Sequence, residues 1–468
     1  MASFGLLACG LVSGLCVFFA LILKWNDMRY RRKGLPPGTM GWPVFGETIE
    51  FLRYGPDFMK RRRARYGSFF QTHILGSPTV ISMDPKLNRF ILMNESKGLV
   101  PGYPQSTLDV LGATNIAAVH GSAHKYLRGS LLSLVGSSVI KDDLLMKVDK
   151  SMRSFTANWE EKTIDIQEKT EEMAFVVALD QILGQDQSNL VKKNFKRSFD
   201  KLVAGVLSLP INIPGTIYHK GIQGRKEVMK FLKQLVDSRR ASPKVRSDIL
   251  GDLMNQDGKY RLTDLQIYEQ VVTILYSGYE TVSTTTMMAL KYLYDHPRAL
   301  LEIRKEHHAI RKRKNEYDPI DWDDYKSMRI TRAVIFETSR LATVVNGVLR
   351  KTMEDIDLDG FIIPKGWRIY VYTREINYDL FLYPDPFTFN PWRWLEDKKL
   401  ESHDYCFLFG GGTRLCPGKE LGIVKIAIFL HYFLTKYSWE EVGGEEILKF
   451  PRVEAPKGLH IKVSKFLN

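Results

Sequence analysis

The sequence predicts a mostly α-helical fold with small β-sheets. Asp264 to His296 is a 33-residue, largely apolar stretch opened by Thr263 and Gln266, the pair that forms a capping box, and stopped by Pro297. A second apolar helix is expected from about Gly418 to Tyr437, directly after a glycine-rich run. Strand-forming residues gather from about Asp357 to Thr373, with turns at Asp359-Gly360 and Pro364-Lys365-Gly366.

Composition sets the bounds. The chain has 468 residues, 44% of them hydrophobic, and no Ser/Gly/Pro-rich internal linker, repeat or low-complexity tract. One large catalytic unit is therefore expected in place of the ~3 domains that length alone would suggest. A net charge of +14 favours anionic partners. No nucleic-acid motif is present, so a membrane surface or an acidic protein fits better. Cys9, Cys16, Cys406 and Cys416 form neither a disulfide framework nor a CxxC pair, which points to a reducing compartment.

At the N-terminus, Phe4 to Leu23 is 20 residues without a charge, about 30 Å as a helix and enough to cross a bilayer. Lys24, Arg29, Arg31, Arg32 and Lys33 follow it and no basic residue precedes it. Residues 1–25 are thus expected to be an uncleaved single-pass anchor, with the bulk of the chain in the cytoplasm. Residues 26–48 read as a basic, Pro/Gly-rich, semi-rigid hinge, and residues 49–468 as the catalytic domain. Further on, "SLPINIPGT", Ser208 to Thr216, is an apolar proline-containing loop that suits either a bilayer contact or an ordinary buried turn.

In the long helical segment Ser277, Thr281 and Thr285 recur every four residues beside Gly278, among apolar neighbours. A mid-helix glycine costs about 1 kcal/mol against alanine, which close approach of a flat ligand would justify. Farther along, Glu337 and Arg340 are spaced as a helical i,i+3 pair.

"FGGGTRLCPGKE", Phe409 to Glu420, sets one cysteine among glycines and ahead of a helix. A lone cysteine is usually a small buried hydrophobe. Here the glycines permit close backbone approach, and the helix N-terminus favours a thiolate. Arg414, two residues from Cys416, suits a second anion. Thiolate, backbone amides and arginine together fit a haem, with iron on sulfur and a propionate on arginine. The P-loop spacing and the papain-type signature are both absent.

Phe409-x-x-Gly412-x-Arg414-x-Cys416-x-Gly418 resembles the haem-binding signature of the cytochrome P450 monooxygenases. The resemblance implies that fold, with haem b between the long central helix and the cysteine loop and Cys416 as axial ligand. It further implies that Glu337, Arg340 and Arg393 of "FNPWRW" form a buried structural triad; Trp394 stands where phenylalanine is usual and reads as a conservative packing change. "SGYET" resembles the family's oxygen-activation motif, in which Thr281 would steady dioxygen and Glu280 relay protons. Arg128 and His124 of "HKYLR" resemble the family's W-x-x-x-R helix with His in place of Trp. With Arg350, ten residues beyond Arg340, they are propionate candidates.

Three longer stretches, Asn94 to Gly112, Leu341 to Thr352 and Gly366 to Asp379, resemble the plant brassinosteroid-6-oxidase branch. That branch oxidises C-6 of 6-deoxo steroids, 6-deoxocastasterone to castasterone through the 6-alcohol, and in some members continues to the brassinolide lactone. Val345, Asn346 and Gly347 become substrate candidates, with Asn346 either bonding a steroid hydroxyl or capping backbone. The chain carries no flavin or nicotinamide fingerprint, so NADPH electrons would arrive through a membrane NADPH–haemoprotein reductase. Lys419 and Lys425 near the cysteine would attract its acidic face or simply be solvated. The implied location is the endoplasmic reticulum membrane. Rival readings are a steroid C-22 hydroxylase, a diterpenoid or abscisic acid oxidase, a non-oxygenase haem enzyme and a non-catalytic sterol binder. The acid–threonine pair opposes the non-oxygenase and the cysteine loop opposes the binder.

Overall fold

A computed structural model describes residues 14, 16–22, 24–43, 45–184, 187–244, 246–255, 261–315, 317–397, 399–443 and 446–466. Most of the predicted anchor, Phe4 to Leu23, lies outside them, as does Cys9. Among the described residues no helix is long and apolar enough to cross a membrane. The chain forms two compact units, Met1–Pro104 with Asn346–Glu375, and Gln105–Val345 with Ile376–Asn468.

The first unit is built on a five-stranded sheet. Its strand order is Phe69–Ile74, Ser77–Ser82, Arg368–Tyr372, Gly347–Thr352 and Leu99–Pro101, with one parallel pairing between Ser77–Ser82 and Arg368–Tyr372. The helix Thr48–Tyr66 packs on this sheet, burying Phe51, Phe58 and Met59. The strand-rich stretch forms as expected. Ile356–Leu358 pairs with Phe361–Ile363 across Asp359 and Gly360, whose φ values of +57° and +80° make the tight hairpin turn that Asp-Gly favours.

The second unit is helical and centred on Asp264–Asp295, one residue shorter than the sequence predicts. Its capping box forms: Gln266 N donates to Thr263 Oγ1 at 3.3 Å and Thr263 N to Gln266 Oε1 at 2.9 Å. Ile166–Leu183, Arg329–Ala342 and Lys419–Lys436 pack around this helix. Lys419–Lys436 is buried on all sides from Ile423 to Leu434, which explains a sequence apolar around its whole circumference. Asn189–Gly205 and Ile217–Arg240 form an intimate pair in which Gly205, Gly221 and Gly224 bring the two backbones together. A three-stranded sheet of Thr163–Asp165, His460–Lys465 and Tyr437–Glu441 closes this unit.

Candidate active site: the cysteine loop and the long helix

The cysteine loop is fixed by its backbone. Cys416 N donates to Phe409 O at 2.9 Å, and Gly410 and Gly412 take φ of +78° and +64°, which side chains rarely adopt. The following helix starts at Lys419, with Gly418 as its cap. Cys416 is solvent-accessible although protein surrounds it. Burial is the largest influence on the thiol and pushes its pKa up; the Gly418 N–H, Arg128 and Lys419 pull the other way with less effect. A bound cation is what would remove the proton, because a metal-coordinating thiol is deprotonated outright.

Arg128, on the helix Gly121–Val135, senses both Cys416 and Arg414, and burial lowers its pKa. Arg414 donates to the carbonyls of Ile116 at 2.7 Å, Ala117 at 3.3 Å and Val119, tying the loop to the 116–119 segment. His124 lies one helical turn before Arg128 and is buried.

Behind the loop, Glu337 is fully buried and saturated with donors. Arg340 donates through Nε and Nη2 at 2.9 and 2.7 Å, Arg393 Nε at 3.1 Å and Asn390 N at 2.9 Å. The arginines then fasten the 377–386 segment, Arg340 Nη1 to Asn377 O and Pro386 O at 2.6 Å each, and Arg393 Nη1 to Pro384 O at 2.7 Å. Trp394 is more than a packing change, because its indole Nε1 donates to Glu337 Oε2 at 2.9 Å. Phe336, beside Glu337, contacts both Trp394 and Phe409, with ring centroids 5.1 and 5.5 Å apart. The triad thus supports the cysteine loop through an aromatic bridge.

The long helix meets the helix after Cys416 near Thr281: a Cβ on Gly422 would sit 3.8 Å from Val282 Cγ2. Ser277 and Thr281 are exposed in the middle of this otherwise buried helix. Thr281 Oγ1 donates to Ser277 O at 2.9 Å and Thr285 Oγ1 to Thr281 O at 2.7 Å, so these hydroxyls bond back along the helix. Glu280 turns elsewhere, its carboxylate 3.9 Å from Arg452. The acid and the threonine share the helix but not a face. Gly278 is not crowded either, since a Cβ there would meet only Ala178 Cβ and Lys425 Nζ, both at 4.0 Å. Lys425 is buried, not solvated, and burial lowers its pKa to about 8. Lys419 pairs with Glu401 at 2.8 Å.

The remaining candidates straddle the unit boundary. Val345, at the end of one second-unit segment, is exposed. In the first unit Asn346 is buried, and its Oδ1 accepts from Arg374 Nη1 at 2.9 Å. Its carbonyl accepts from Thr373 N and Arg374 N at 3.0 and 3.2 Å. Gly347 is a strand glycine whose Cβ would lie 2.4 Å from Val371 O. Arg350 is buried with Nη2 3.4 Å from Glu95 Oε2. Sequence reasoning missed two ties that rest on long-range partners, the Trp394–Glu337 bond and a buried Glu269 that binds Arg225 and takes the Thr114 N–H at 2.8 Å.

An accessible sulfur, arginines near it and a hydroxyl-bearing helix packed on the helix that follows make a donor set that suits haem: sulfur for the iron, guanidinium for a propionate.

Comparison with known proteins agrees with this geometry. Residues 36–463 match the family Cytochrome P450. "Cytochrome P450 85A" of Phaseolus vulgaris is 64% identical over 98% of each chain, and "Cytochrome P450 85A1" of Arabidopsis thaliana is 60% identical over 100% of this chain and 99% of that one. Among solved structures, a retinoic acid-bound cyanobacterial CYP120A1 matches with a TM-score of 0.83 and 26% identity, over 92% of this chain and 99% of that one.

Proposed function

The chain belongs to the cytochrome P450 family, and from that premise we propose that it oxidises C-6 of 6-deoxo brassinosteroids, carrying 6-deoxocastasterone to castasterone through the 6-alcohol. It is a haem-thiolate monooxygenase that draws its electrons from a reductase and acts on lipophilic substrates. The observation behind the steroid assignment is the near-full-length identity, 58–64%, to 85A proteins in a chain whose own sequence resembles the brassinosteroid-6-oxidase branch.

Haem bound to a thiolate supplies the activation of dioxygen. In our reading Cys416 would hold the iron, and Arg128, Arg414 and His124 would hold propionates. The Glu337–Arg340–Arg393 network holds the loop that carries Cys416. Thr281 offers its hydroxyl on the oxygen side, giving up its bond to Ser277 O to do so, and Glu280 passes protons inward from the Arg452 side. Val345 is the open substrate candidate; the bonds of Asn346 favour the capping role over contact with a steroid hydroxyl.

For location we propose a single N-terminal anchor in the endoplasmic reticulum membrane, the catalytic part facing the cytoplasm beside an NADPH–haemoprotein reductase. Exposed Leu209, Ile211 and Ile213 support a second bilayer contact at the 208–216 loop.

Turnover in microsomes with reductase and NADPH tests the assignment, offering 6-deoxocastasterone, a sterol without the 22-hydroxyl and a diterpenoid acid, with products read by mass spectrometry. Castasterone from the first alone is expected, and a further gain of one oxygen would add the lactone step. Turnover of only another substrate by haem-loaded protein overturns the branch.

A further inference from the structure

Lys425 is an unexpected group for the core of the second unit. It sits on Lys419–Lys436, nine residues after Cys416, and is 4% exposed. A lysine normally carries its ammonium out to water on its flexible stem, and burying an unpaired charge is costly. This one stays inside, and among the described residues no hydrogen bond or ion pair holds its ammonium. The charged and titratable groups on the helices around it are turned to other partners. Asp149 takes Tyr432 Oη at 2.5 Å, Glu171 takes Tyr279 Oη at 2.9 Å, His307 lies 3.1 Å from His431, and Glu420 takes Tyr325 Oη at 2.7 Å. Glu337 is filled by Arg340 and Arg393. Burial is the one resolved influence on the amine and lowers its pKa to about 8, so it keeps its proton at neutral pH yet can release it.

The ammonium meets the long helix at the place where that helix lacks a side chain. A Cβ on Gly278 would lie 4.0 Å from Lys425 Nζ and 4.0 Å from Ala178 Cβ on Ile166–Leu183. Two small residues thus leave room around Nζ, which gives the mid-helix glycine a purpose. Thr281 follows Gly278 by three residues, and side chains so spaced are neighbours on a helix surface, with Cβ positions roughly 5–6 Å apart. The amine is therefore within the span of one bridging water from the Thr281 side chain. Glu280, two residues from Gly278, points to the other side of the helix and lies 3.9 Å from Arg452. The acid of this motif and the buried amine approach the helix from different faces.

We propose that Lys425 is a positioning residue for the oxygen side of the reaction: a buried ammonium, admitted to the long helix by Gly278, that holds a proton for the Thr281 hydroxyl. Placing one oxygen atom of dioxygen in the substrate and releasing the other as water takes two electrons, supplied by NADPH through the reductase, and two protons. Lys425 gives up one proton through Thr281, passes briefly through the neutral amine, and regains a proton from solvent, so it is unchanged over a turnover. The proposal rests on the haem-thiolate class and not on the steroid assignment.

The test uses the haem-loaded full chain with reductase, NADPH and whichever of the three substrates above it turns over. Product formed per NADPH is followed from pH 6.5 to 9, a ratio from which the reductase's own rate drops out. In the unaltered chain the ratio should fall as pH rises, with a midpoint near 8, and peroxide should replace the lost product. Lys425→Met exchanges a buried charge for an apolar chain of similar length, a change that buried sites usually tolerate. Its ratio at pH 7 should be at least about threefold lower, a small share of the roughly 10²–10⁴-fold that positioned proton transfer contributes, and should stay flat up to pH 9. Gly278→Ala keeps the amine but sets a methyl 4.0 Å from Nζ, an ordinary contact that dries the ammonium, so the midpoint should move to lower pH. A Lys425→Met protein that couples as well as the unaltered chain, or that keeps its fall with pH, overturns the role. So does an unmoved midpoint in Gly278→Ala, because a lysine that only fills space would not carry the pH response.

Discussion

Cys416, Thr281 and Trp394 each make a different kind of claim on the chemistry. Cys416→Ala removes the one sulfur of the loop, so the reduced carbon-monoxide complex should lose its red-shifted thiolate band; retention of that band would move the ligand elsewhere. Thr281→Ala leaves the helix intact, because among the described residues the Thr281 hydroxyl bonds only back to Ser277 O at 2.9 Å. Product formed per NADPH should fall about tenfold or more, a fraction of the roughly 10²–10⁴-fold that positioned proton transfer contributes, with peroxide released instead. Parallel measurement of NADPH, peroxide and product checks this. Trp394→Phe keeps the aromatic bridge to Phe336 but removes a donor from a fully buried carboxylate. A bond to a charged group is worth about 1.5–3 kcal/mol, which sets the expected loss in urea unfolding. Glu337→Ala should cost more, about 3–5 kcal/mol, by stranding two buried guanidinium groups.

Between helices, the contact of Asn189–Gly205 with Ile217–Arg240 is the most demanding sterically. A Cβ on Gly224 would lie 2.6 Å from Leu202 N and 2.7 Å from Ser198 O, backbone atoms that cannot rotate away. Gly224→Ala should therefore push the pair apart and cost about 1–3 kcal/mol, read as a lowered denaturation midpoint. Gly129→Ala is the control, an open position where alanine should be harmless or mildly stabilising. Legibility follows the same division between local and distant. The Thr263–Gln266 box, the Asp359-Gly360 hairpin and the Glu337/Arg340 pair were readable because each is written within a few residues. The helix after Cys416 was readable from its unbroken apolar run. The Glu280–Arg452 approach and the Trp394 donor were not, since each joins residues that no periodicity relates. The thiol of Cys416 shows the remaining gap: motif and helix end argue for an anion, while the surrounding protein, invisible in sequence, pushes its pKa up against the pull of the Gly418 N–H, Arg128 and Lys419.

For the molecule as a whole, the response to acid draws on a histidine pair that no motif announces, with His73 and His308, also lowered by burial, adding in the same direction. His307 and His431 are fully buried, with their Nδ1 atoms 3.1 Å apart, and Thr331 Oγ1 lies 3.1 Å from His307 Nε2. Across the Nδ1–Nδ1 contact one ring must donate and the other accept, so the two cannot both be charged. Burial lowers the His307 pKa from 6.5 to about 3, and burial together with His307 and Arg311 lowers His431 well below its usual value. The unfolded chain therefore binds more protons than the folded one once pH drops below 6.5, and stability falls in that direction. Each histidine contributes a slope of up to about 1.4 kcal/mol per pH unit. Glu47, Glu171 and Glu306 oppose this, since burial raises their pKa values and the folded state takes up their protons first, just above the usual 4.5. The histidines should dominate between pH 6.5 and 5.5, where the urea midpoint should drop steadily. His307→Gln keeps a hydrogen-bonding side chain without the titration, so it should flatten that slope by up to about 1.4 kcal/mol per pH unit whatever its stability at pH 7.5. An unchanged slope in the variant would mean that the pair is protonated in the folded state and that its burial is relieved by motion within the helices that carry it.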